Sequence, residues 1–138
     1  MKPRLTAVLD LRRHIEDDAK REVGRLERER QAMIVERDRH SASLEAAAAG
    51  GAAPAMRDLL ESYINAMRRH IADNSARITA HDVVISQARD RLAQAHREVK
   101  AIEAIRARDA KAQLLLWQRR EARANDEHAG RKRQESLI

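Results

Sequence analysis

Cysteine and phenylalanine are absent from this 138-residue sequence, which has one Trp, one Tyr, four Gly and two Pro. Without cysteine there is no disulfide framework, no thiolate nucleophile and no Cys-ligated zinc, which fits a reducing compartment. With almost no aromatic rings, a compact core lacks the side chains that usually bury the most area. Sheets and turn-rich folds need more glycine and proline than this. Sandwiches, barrels and most α/β enzymes are excluded. Long apolar runs are missing as well. The longest weakly apolar stretch, Ala46 to Met56, is Ala and Gly with one proline, far too short to span a bilayer. The start, Met1-Lys2-Pro3-Arg4-Leu5, runs straight into Asp10, Arg12 and Arg13, so no signal-peptide apolar region is expected. A soluble cytosolic protein follows from these absences.

What the chain does have is charge and helix formers. Lys and Arg number 28 against 22 Asp and Glu, a formal charge of +6, and 43% of residues are hydrophobic. The apolar share is too high for a disordered chain. Abundant Ala, Arg, Glu and Leu are the composition of long helices or a coiled coil.

One segment stands apart: Ala46-Ala47-Ala48-Ala49-Gly50-Gly51-Ala52-Ala53-Pro54. Gly50 and Gly51 suit a left-handed helix cap, and Pro54 suits the first turn of a new helix. The expected organisation is a single coiled-coil domain over 1–138, with a helix over 4–47, a tip over 48–53 and a helix over 54–134. In the second helix, Ile64, Ile71, Ile78, Ile85, Leu92 and Val99 recur every seven residues. Leu60, Met67, Asn74, His81, Ala88, Ala95 and Ile102 form the second ladder. Such an a/d pattern demands a left-handed supercoil against a partner helix. Residues 73–83 have poor helix propensity, and Thr79-Ala80-His81-Asp82 reads as a capping box. A break there would make a three-helix bundle; the unslipped isoleucine register favours one continuous helix.

The first helix is apolar at Leu5, Val8, Leu9, Leu11, Ile15, Val23, Leu26, Met33 and Leu44, with Glu22, Glu29 and Glu36 in candidate core positions. Folding about Gly50–Gly51 sets residue i against roughly 101 − i, so that Ile15 meets Ile85 and Ala88, Leu26 meets Ile78, and Met33 meets Met67 and Ile71. A loop this short makes the pair antiparallel. The fold class is all-α: an antiparallel two-helix coiled-coil hairpin with a longer, overhanging C-terminal helix. About 35 residues overhang, on the order of 50 Å. They carry Leu114, Leu115, Leu116 and Trp117 in a basic setting. An apolar cluster on an unpaired helix marks a surface for another protein.

Chemistry is sparsely provided. The six histidines (14, 40, 70, 81, 96 and 128) never stand at i, i+3 or i, i+4, so no helical metal site and no cofactor is expected. Only His81 lies on the seam, where one polar residue can fix register. Glu16–Lys20 and Asp17–Arg21 are i, i+4 ion pairs. A coiled coil offers no pocket to perturb a carboxylate, and Gly50-Gly51 lacks the Lys-Ser/Thr of a phosphate loop, so no enzyme activity is expected. Acids interrupt the basic residues throughout, and aromatic platforms are missing, so nucleic-acid binding is not expected either.

Two terminal patterns carry a resemblance. Leu5…Val8-Leu9-Asp10-Leu11-Arg12-Arg13 followed by Glu16…Ala19…Glu22-Val23 resembles the N-terminal pattern of the FliJ family of flagellar export proteins. Residues Arg97 to Arg108 resemble that family's basic heptads, and Arg120 to Ala129 is similar to its terminal signature of charges ending in Asp-Glu-x-Ala. The resemblance implies a non-catalytic stalk and general chaperone, monomeric alone, similar to the central-stalk γ subunit of rotary ATPases. It implies three partners: the hexameric export ATPase, the cytoplasmic domain of the export gate, and export chaperones. The protein would reach the inner-membrane apparatus only through other proteins. By matching position the ATPase contacts are Leu9, Arg12, Glu103, Arg106, Arg108, Glu121, Asp126 and Glu127, and the gate contacts are Met33, Tyr63 and Met67. His40, His70 and Asn74 depart from the family at the gate-binding levels, and Leu114 to Trp117 depart from its usual charge. Alternatives are the equivalent stalk of a virulence injectisome and, more remotely, a basic coiled-coil scaffold or nucleic-acid adaptor.

Overall fold

The computed structural model describes residues 3–51 and 53–137. Met1, Lys2, Ile138 and Ala52, the last of these inside the expected tip, lie outside the described residues. The described chain forms α1 (Pro3–Ala49), a 3-10 turn (Pro54–Met56) and α2 (Arg57–Ser136), with no strand among them. This is an all-α hairpin with a long second helix. The reversal differs in detail from the expectation. α1 continues to Ala49, and the Gly50 amide donates to the Ala46 carbonyl at 3.1 Å, one more helical bond. Neither Gly50 nor Gly51 has a positive φ, so no left-handed cap ends the helix. Pro54 does open the next element, but as a tight turn in which the Met56 amide bonds the Ala53 carbonyl at 2.8 Å.

α2 is unbroken through 73–83. The Thr79 hydroxyl donates to the Ser75 carbonyl at 3.1 Å, a bond made inside a helix rather than at a cap. That removes the three-helix alternative.

Contacts divide the chain into two units, Ile15–Ala95 and the paired termini Met1–His14 with His96–Ile138. In the first, Val23, Leu26, Ile85 and Ala88 form a buried cluster with Leu92 packed against it. In the second, Leu9 and Val99 are the buried apolar residues. α2 uses the seam read from its heptads: Ile78, Ile85, Val99, Asn74, Ala88 and Ala95 are buried, and the remaining members of both ladders are half-buried.

α1 uses a seam the sequence concealed. Its shielded positions are Leu9, Glu16, Val23, Arg30, Arg37 and Leu44 on one ladder, and Arg12, Ala19, Leu26, Met33, His40 and Ala47 on the other. Both repeat every seven residues, yet five of the twelve members are polar. Val8, Leu11 and Ile15, expected inside, are exposed, as is Glu36, while Glu22 and Glu29 are half-buried beside the seam.

The register also differs. Arg12 bonds Glu98 at 2.7 Å, Arg30 bonds Asp82, and the His40 ring stacks on His70 with centroids 5.1 Å apart. These pairs set residue i against about 110 − i, not 101 − i. Leu26 therefore packs with Ile85 and Ala88 rather than Ile78. The reversal spans Gly50 to Met56, which moves its centre several residues past the glycines. Side chains also lean toward their own N-terminus, which adds about two more residues to the offset.

Candidate protein-binding site

In the unit of the paired termini, Arg12, half-buried on α1, holds Glu98 of α2 at 2.7 Å. One turn further along α2, Glu103 receives Lys100 at 3.3 Å and Arg13 at 3.4 Å. The Lys100 hydrogen bond, aided by Arg13, holds the Glu103 carboxyl below its ordinary range. Glu103 is thus kept anionic between two cationic side chains, Lys100 and Arg13. Leu9, in the same unit, is 1% exposed.

Arg106 is half-buried and lines an open cleft of about 510 Å³ with Leu5, Asp109, Ala110, Gln113 and Leu116. A shallower cleft runs between Arg4, Leu5, Val8 and Ile105. Arg108 points to solvent. From Ala110 to Leu137 every residue of α2 is exposed. This bare length is roughly 40 Å, shorter than expected because the shifted register carries α1 further along α2. Glu121, Asp126 and Glu127 stand on it, as do Leu114, Leu115, Leu116 and Trp117.

No group of three or more His, Asp or Glu among the described residues is placed to hold a metal ion. Among the described residues no helix is long and apolar enough to cross a membrane. What remains on the surface is a helix pair whose charged end passes into one uncovered, partly apolar helix.

A family model described as the flagellar FliJ protein matches residues 1–136. The chain belongs to the FliJ family. Membership makes it a protein of the flagellar export apparatus. No curated protein and no solved structure matches it.

In this FliJ-family chain the three residues expected to meet the export gate do not form one surface. Met33 and Met67 are both half-buried, and the observed register separates their levels by about ten residues, roughly 15 Å along the axis. Tyr63 is exposed and lies one turn before Met67 on the same helix. Its exposed neighbours are Leu59 and Met56, at 66% and 54% exposure, an apolar stripe that sequence reasoning passed over. The spacing of three and four residues among Met56, Leu59 and Tyr63 was the available signal; the stronger isoleucine ladder beside it drew the reading.

Two further arrangements depend on pairing across the helices. The first is the His40–His70 stack, with Glu36 at 3.6 Å from His40. The second involves His81, whose Nε2–H donates to the Leu26 carbonyl at 3.0 Å and lies 3.3 Å from Glu29. The polar register role expected for His81 takes this form. Asp17 was expected to pair with Arg21; Arg21 instead bonds Asp18 at 2.8 Å, while the Glu16–Lys20 pair forms at 3.4 Å.

Proposed function

We propose that the chain is the non-catalytic stalk and general chaperone of a flagellar type III export apparatus. It binds the hexameric export ATPase through its paired termini and bare C-terminal helix, and the export gate through the half nearer the tip. The single observation behind this reading is that α2 continues past the start of α1 as an uncovered helix with charge of both signs. A helix so exposed gains most of its stability by packing on a partner. Arg12, Glu103, Arg106, Arg108, Glu121, Asp126 and Glu127 supply the charged contacts, with Leu9 as their packing support. At the other end, Tyr63 with Leu59 and Met56 is the apolar surface for the gate, and Met33 and Met67 hold the helices beneath it. Export chaperones are the remaining partners.

Having no catalytic centre of its own, the chain alters ATP turnover only by binding some nucleotide states of the ring better than others. The test is binding to the purified export ATPase at low and physiological salt. Reversing both charges, Arg106→Glu with Arg108→Glu, should weaken binding, with the loss greater at low salt where screening is weaker. Unchanged binding at low salt would remove these two arginines from the contact.

A further inference from the structure

The buried core of the Ile15–Ala95 unit stops well short of the reversal. Between Leu26 on α1 and Asn74 on α2 no described residue is buried, and the apolar seam residues there, Met33, Leu44, Ile64 and Met67 among them, are only half-buried. Where the core ends, the seam turns polar. Asn74 is 4% exposed and its Nδ2 has no partner. One turn nearer the tip, the His70 ring stacks on that of His40, with centroids 5.1 Å apart and planes 17° from parallel.

This stack joins the two helices. Glu36, 3.6 Å from His40, lies four residues before it on the same helix, so it stays beside His40 whether the helices are paired or apart. The other charged side chains at these levels are Arg37, which pairs with Asp38 at 3.4 Å on α1, and Arg69, Asp73 and Arg77 on α2. Imidazoles gain their proton between about pH 8 and pH 5. Two protonated rings held face to face repel, whereas in separated helices each is solvated and Glu36 keeps its neighbour. The open state therefore takes up more protons, and pairing here weakens as pH falls.

His81 has the opposite arrangement. Its partners on α1 are the Leu26 carbonyl at 3.0 Å and Glu29 at 3.3 Å. Both accept, so a proton gained there strengthens pairing in the core half of the unit.

We propose that His40 and His70 form a proton-operated latch: on acidification the helices part on the tip side of Asn74 while they stay paired around Leu26 and Ile85. Opening bares Met33, Leu44, Ile64 and Met67, so pH sets how much apolar surface the tip half presents. A difference of one proton between the open and closed states changes their ratio by up to tenfold per pH unit. The inference is independent of which partners the chain binds, and its test uses the full chain alone.

The sequence has no cysteine, so spin labels go only where cysteines are introduced. Ala42→Cys with Asn65→Cys reports on the tip side and Asp17→Cys with Ala93→Cys on the core side, all at exposed positions. Distances across each pair are measured by double electron–electron resonance at pH 7.5 and pH 5.5. The expected result is a long-distance population in the tip pair that grows roughly tenfold between the two values, with the core pair unchanged. His40→Gln and His70→Gln keep helix propensity, so circular dichroism should show an intact hairpin, and each should abolish the response. A tip pair indifferent to pH would overturn the latch. So would a response that survives either substitution, or widening of both pairs together, which is acid unfolding of the whole hairpin.

Discussion

At position 74 a polar amide occupies a seam that is otherwise mostly apolar. Asn74 is 4% exposed and its Nδ2 has no hydrogen-bond partner. A buried donor left unsatisfied costs about 1–3 kcal/mol, so Asn74→Leu should raise stability by about 1–2 kcal/mol in a denaturant melt. The same change removes a polar marker of register, and the His81 bond to the Leu26 carbonyl then remains with the Arg30–Asp82 and Arg89–Glu27 pairs in that unit. Titration belongs to this scale too. Hydrogen bonds from Arg25 to Glu22 and from Lys100 to Glu103 hold both carboxyls below 4.5 in the folded chain. A carboxyl whose folded value is lowered stabilises the fold above its unfolded value and loses that contribution as pH falls through the folded one. Thermal melts should therefore show a falling Tm below about pH 4.5, more shallowly in Glu103→Gln than in the parent chain. Both carboxyls are half-buried and still reached by solvent, so salt should reduce the effect.

Among the elements, α2 was the more legible from sequence. Its two ladders read as apolar every seven residues, and the buried positions follow them. α1 was hidden because Arg12, Glu16, Arg30, Arg37 and His40 occupy its seam. Long side chains there lay their stems along the partner helix and carry the charge out to its edge, as Arg12 does to Glu98 and Arg30 to Asp82. An apolarity count marks such positions as surface. Val8, Leu11 and Ile15, which it marks as core, are exposed. The reversal gives a sharp test of the local geometry. Gly51 has no positive φ, and a Cβ built on it meets nothing within 4 Å. Gly51→Ala should be neutral or stabilise by about 0.4–1 kcal/mol through the unfolded state. A left-handed cap would have made the same change costly.

For the whole molecule, the dividing line lies near residue 110. Before it α2 is shielded along one seam; from Ala110 to Leu137 every residue is exposed. Removing residues 110–138 should therefore leave Tm within a few degrees of the full chain, while binding to the export ATPase is lost. A large fall in Tm would mean that the tail contributes to the fold rather than to a partner. Family membership makes this a protein of the flagellar export apparatus. Among the candidate contacts named from the resemblance, Arg108, Glu121, Asp126 and Glu127 are exposed. Leu9, by contrast, is 1% exposed.

The amino-acid order by itself determined the class: heptads of isoleucine, no aromatic core and a single Ala/Gly break admit two helices and little else, because a seven-residue repeat must be buried against another helix. Only the tertiary structure decided the pairing. Register depends on where the reversal is centred and on which polar side chains meet across the seam, and neither is a property of one helix read alone. The shift of about nine residues that followed moved Met33 away from Met67, brought His40 onto His70 and shortened the bare end of α2.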